Sequence, residues 1–155
     1  MENCERSLSC KNETTLLKYK TMNEDENKSL LIEAICEGLP YGLKLDFYSR
    51  ATNEHYVCTL LGIEPEGEKP IIAKVDSGAF KFTQDHVKLY LRPMTSMTEQ
   101  EVDEYKSLCT NYEFAYFDNP KSLRWLKQNH FDYLGLIEYD LAIAVTKENN
   151  PYENG

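Results

Sequence analysis

The chain has 155 residues, a formal net charge of −9, and 41% apolar and 12% aromatic residues. This length suits one hydrophobic core, or a small domain with a packed appendage, and excludes two large domains, while the apolar content sets the chain apart from a disordered polymer. The charge opposes broad, sequence-independent binding to DNA or RNA and adhesion to anionic membranes, because both draw on Lys and Arg; basic partners stay open.

Residues 1–27 read as a polar leader, partly ordered, whose small apolar patch Leu16, Leu17 and Tyr19 suits one short strand. A helix is expected from Lys28 to Glu37, where Leu31 and Ile35, and Leu30 and Ala34, repeat at i and i+4, with Gly38 in the C-terminal cap position and Pro40 preventing continuation. From Tyr41 the period changes to two. Strands are expected at Gly42–Tyr48, His55–Ile63, Pro70–Val75, Phe80–Phe82 and Val87–Leu91, with a hairpin turn at Asp76-Ser77-Gly78 and a helical connector at Thr83–His86. Arg92-Pro93 ends the last of them, since proline gives a sheet ladder no N–H. Thr98 with Glu101 three residues on then reads as a capping box opening a helix to Cys109.

An aromatic link follows, Tyr112, Phe114, Tyr116 and Phe117. Asp118-Asn119-Pro120 is a helix start, and the helix runs to Gln128 with Leu123 and Leu126 on one face and Trp125 near its edge. Tyr133–Val145 reads as a hairpin turning at Glu138–Asp140. The expected fold class is therefore α+β. An N-terminal helix plus a five-stranded SH3-like small β-barrel occupies residues 28–93, an OB-like barrel being the alternative. An α-rich unit with two helices and a terminal β-hairpin packs on the barrel over residues 94–146, and a frayed tail covers 147–155.

The five cysteines, Cys4, Cys10, Cys36, Cys58 and Cys109, form no CxxC pair, which points to free thiols in a cytoplasmic protein rather than structural zinc. No run reaches the length of a membrane-spanning helix, and MENCERSLSC lacks the apolar core of a signal peptide. His55 and Cys58 stand at i and i+3 on one expected strand, which sends them to opposite faces and opposes a nucleophile–base pair. In His130-Phe131-Asp132, the acid could orient the histidine as a base, but a histidine closing a helix serves better as a cap on its last carbonyls. His86 has the ordinary place of a turn residue.

The carboxylate groups at 24–26, 64–68 and 99–104 read as solvated surface, and neither a phosphate-binding loop nor a nucleophile elbow occurs. The sequence implies no enzyme activity, no cofactor and no metal. Arg92, where the strands meet the helices, is expected to pair with acids such as Asp103 or Glu104. A binding face is expected at the same seam, from Tyr41, Tyr90, Arg92, Trp125, His130 and Tyr133, because Tyr, Trp and Arg dominate binding hot spots.

GLPYGLKLDF at Gly38–Phe47, VKLYLRPMTSMTEQE at Val87–Glu101 and WLKQNHFDYLGLIEYDLAIAV at Trp125–Val145 resemble a group of uncharacterised small proteins from phages, prophages and mobile elements of gut Bacteroidales. The resemblance covers residues 30–145 and carries no functional residues. It implies a setting, that of an accessory protein made inside a host cell. The expected function is non-enzymatic binding of a host or phage macromolecule, most readily a protein. The alternatives are an acidic inhibitor that mimics nucleic acid, a nucleic-acid-associated small-barrel module, and an enzyme without a recognised motif.

Overall fold

A computed structural model describes residues 23–110 and 120–153. The leader's apolar patch, Cys4 and Cys10, the aromatic link at 112–117 and the capping residues Asp118 and Asn119 lie outside the described residues.

The first helix, α1, spans Glu24–Gly38 and begins four residues before the expected start. Asn23 and Glu26 close a capping box, each side chain accepting the other's backbone N–H at 2.9–3.0 Å, so the acidic run that reads as leader is the helix's first turn. Gly38 ends α1 for a different reason from the expected cap. Its φ is −81°, and a Cβ there would stand 2.6 Å from Cδ2 of Leu43, so glycine serves the close approach of that core residue. The left-handed turn falls to Gly42, at φ 67°.

Five strands follow: β1 at Lys44–Ser49, β2 at Glu54–Ile63, β3 at Ile71–Val75, β4 at Gly78–Phe82 and β5 at Val87–Leu91. A single 3-10 turn at Gln84–His86 brings β5 back beside β1. A sixth strand, β6 at Ala142–Ala144, adds to β5 in parallel, giving the order β4-β3-β2-β1-β5-β6. The sheet is open and mixed, which corrects the expected closed barrel. The face that closure would have sealed is filled by α1, whose Leu31, Ala34 and Ile35 pack with Leu43, Leu45, Cys58, Ile71 and Leu89, and burial against a helix satisfies that face without closing the strands.

The expected terminal hairpin is also replaced. The buried carboxylate of Asp132 accepts the N–H groups of Leu136 at 2.8 Å and Ile137 at 3.0 Å, taking donors that a strand would have given to a ladder. Residues 133–141 therefore coil, Leu136 enters the core, and only β6 pairs. The tail, expected to fray, returns to the sheet. Tyr152 donates to the Tyr90 carbonyl at 2.7 Å, accepts from the Lys44 N–H at 3.2 Å, and stacks 3.9 Å from the His130 ring. Burial pushes its phenol well above the ordinary tyrosine range.

Two further helices, α2 at Glu99–Thr110 and α3 at Pro120–Gln128, form a second small core from Trp125, Leu126 and Phe131 with Tyr105 and Leu108. Among the described residues, no helix is long and apolar enough to cross a membrane.

Candidate functional site

The seam between strands and helices is built around Arg92. Its backbone bridges to the residues after α3, with Arg92 N–H donating to the His130 carbonyl and Asp132 N–H to the Arg92 carbonyl, both at 2.8 Å. Its guanidinium forks onto Glu101 at 2.8 and 2.9 Å and lies 4.2 Å above the Phe131 ring. The partner is thus Glu101, not Asp103 or Glu104. Glu101 is the third residue of α2, where it also accepts the Thr98 N–H at 2.9 Å, so the capping box aims this carboxylate back at the strand end while the other two acids face solvent.

Five of the six expected residues gather at the seam, as packing, while the Tyr90 side chain turns to Asp46 on the other face. Trp125 is buried and stacks on Phe131 at 5.5 Å, and Tyr90 is buried beside Asp46. The His130 Nε2–H donates to the Tyr41 carbonyl at 2.8 Å, and burial pushes the pKa of this imidazole down. Asp132 faces the turn it caps, so it does not orient His130 as a base. His130 sits at φ 58° just past α3, where His130 N–H bonds the Lys127 carbonyl and Phe131 N–H the Leu126 carbonyl; the backbone closes the helix in a Schellman motif, and the imidazole, expected on the last carbonyls, goes to Tyr41 instead. Tyr133 lies near the Lys127 ammonium, 6.0 Å from ring centre. The space left at the seam is about 30 Å³, enough for one or two waters.

The large opening lies elsewhere. β1 sends Leu45 to the core and Asp46 to the other face, and its register with β2 and β5 sets Val57 and Lys88 beside Asp46. Tyr90 covers Asp46, which is only 4% exposed. A buried carboxylate needs a partner, and His55, diagonally across β2, donates from Nδ1 to its Oδ2 at 2.8 Å. The other oxygen has only the Tyr90 hydroxyl, at 3.5 Å. The negative charge is felt nearby: Cys58, pushed up to about 11 by burial and then by Asp46, and Tyr90, raised for the same two leading reasons. His55 itself projects outward with Tyr48 against its ring, and Cys58 lies on the opposite face, as their spacing predicts.

From this pair runs an open groove of about 680 Å³, bounded by the first turns of α1, the Gln84–His86 turn, the start of β5 and residues 140–143. Lys28 pairs with Asp85 at 3.6 Å across one end and Lys88 with Asp140 at 2.5 Å across the other. Asn27 contributes a buried side-chain oxygen with no hydrogen-bond partner among the described residues. A second opening of about 590 Å³ lies on the far side of His55, lined by Lys44, Lys74 and Pro151 among others, so the imidazole stands on the ridge between the two.

Sequence reasoning weighed His55 only against Cys58 and His86 only as a turn residue, and did not single out Asn27, Asp46 or Lys88. The signal available was register. A tight β1–β2 connection at residues 50–53 opposes Tyr48 to His55 and thereby sets Asp46 one diagonal away. Among the described residues, no group of three or more His, Cys, Asp or Glu could hold a metal ion. No family model, curated protein or solved structure matches the chain.

Proposed function

We propose that the chain is a non-enzymatic binding protein that recognises a partner protein through the Asp46–His55 groove. The observation that carries this reading is the groove itself, whose volume falls in the range of specific binding sites and whose walls combine apolar surface with a few placed polar groups. Among the described residues no Ser, Thr or Cys lines it beside His55, which favours the imidazole as a recognition group over the base of a nucleophile. The family resemblance adds the setting, an accessory protein of a phage or mobile element working in the host cytoplasm. The return of β5 to β1 after one helical turn supports an SH3-like ancestry for the first five strands.

The acidic-inhibitor reading requires a broad face of unpaired acids. Five of the chain's 26 acids, Glu37, Glu64, Asp85, Glu101 and Asp140, are each paired with a Lys or Arg, and the groove is the more defined site.

The test is affinity capture from host cells with the tagged full chain, its Asp85→Lys variant in the groove, and Glu66→Lys in an exposed turn away from it. The partner recovered by the parent chain should persist with Glu66→Lys and fall at least about threefold with Asp85→Lys, since a reversed charge in a contact is repulsive. Equal recovery by all three would contradict the reading.

A further inference from the structure

We propose that the groove takes a donor-rich cation, the ammonium or guanidinium of a lysine or arginine side chain on the partner; this rests on the groove being the binding site. Hydrogen-bonding capacity is left unfilled on the acceptor side there. Asn27 Oδ1 is buried without a partner. Asp46 Oδ1 has only a 3.5 Å contact, against 2.8 Å for its other oxygen. The two lysines of the lining are already engaged, Lys28 by Asp85 and Lys88 by Asp140.

Charge points the same way. Among the described residues the lining holds four carboxylates, on Glu24, Asp46, Asp85 and Asp140, against two lysines, on a chain of net charge −9. Unpaired acceptors and excess negative charge both select a ligand that donates hydrogen bonds and carries positive charge. The occupant is a side chain on a polypeptide rather than a free amine because apolar side chains of Leu31, Leu141 and Ile143 also line the groove and offer contact to residues flanking the cation.

The experiment is an NMR titration of the full chain at low salt with four probes: an extended Lys/Arg hexapeptide, its Glu counterpart, spermidine and free arginine. The basic peptide should shift the amides of Asn27, His55, His86 and Asp140, and Asp140→Asn should weaken it about two- to fivefold, the effect of one exposed charge. This variant keeps the fold. Asp140 has an 88% exposed side chain and sits at φ 59°, a conformation asparagine accepts. Asp46→Asn, which changes a buried group, should weaken binding further if it folds.

Shifts with the peptide but not with spermidine or arginine support the side chain as source. Equal binding of the free amines supports the cation chemistry and overturns the polypeptide source. Preference for the Glu peptide, or no shift at the groove with any cation, overturns the proposal. In that last case a capture partner that is still lost with Asp85→Lys would leave the groove standing as the binding site with a different ligand chemistry.

Discussion

Replacing Phe131 with alanine is expected to destabilise the protein by about 3–5 kcal/mol, the range for removing a large buried aromatic. Phe131 is 1% exposed, with the Trp125 ring stacked at 5.5 Å and the Arg92 guanidinium over its face, 4.2 Å from the ring centre. It also occupies the position that closes α3, its N–H bonded to the Leu126 carbonyl at 3.0 Å. Deletion leaves a void flanked by two groups that have lost their contact surface in the small second core. For a domain of this size the melting temperature should fall by on the order of 10 °C. Trp125 is the chain's one tryptophan, so its emission should shift to the red as its packing loosens. Phe131→Leu should recover part of the loss, since leucine refills part of the volume. An unchanged melting temperature in the alanine variant would refute the role given to this residue.

Arg92→Ala should cost about 2 kcal/mol at neutral pH, through the loss of a bidentate, charge-assisted pair and of the guanidinium's contact with Phe131. Both partners are roughly a quarter exposed, which places the effect between that of a surface pair and that of a buried one. Arg92→Lys should restore less than half, because an ammonium cannot fork onto both oxygens.

The effect carries a pH signature. The Arg92 hydrogen bonds hold the Glu101 carboxyl below the ordinary glutamate range, with burial opposing and Thr98 assisting. A depressed folded pKa contributes stability that is present above the unfolded value and is lost as pH falls through the folded one. The gap between Arg92→Ala and the parent chain, measured by denaturant unfolding, should therefore narrow from neutral pH toward strongly acidic pH. A gap of constant size would show that Arg92 acts by packing alone.

Much of the fold is legible in the sequence where local chemistry decides it. Val87–Leu91 has the expected bounds, the Thr98–Glu101 capping box forms, and α3 ends at Gln128, because strand alternation, Pro93 and capping residues act within a few positions. The Asn23–Glu26 box was equally local and was masked by reading an acidic run as solvated leader. What escaped the sequence depends on distant partners. Barrel closure turns on whether α1 or another strand covers the inner face, and the hairpin at 133–145 fails because one buried carboxylate, Asp132, claims two backbone donors.

The candidate site is less legible still. Asp46 is an unremarkable alternate residue of an amphipathic strand until register sets His55 beside it and Tyr90 over it. Asn27 becomes notable only once its oxygen is seen to be buried without a donor. Of the six aromatic and basic residues expected to form a binding face, Tyr90 faces Asp46 instead and the others meet in inter-element packing; the space beside His130 and Tyr133 is about 30 Å³ against about 680 Å³ in the groove.

The most direct measurement of the groove's role is amide hydrogen exchange on the full chain, free and with its captured partner. Protection should appear at residues 24–31, 46–55, 84–88 and 140–143, the segments that wall the groove, while the β4 edge at Gly78–Phe82 and the seam around Trp125 and Tyr133 exchange as before. Protection confined to that edge or that seam, with the groove segments unchanged, would contradict the account.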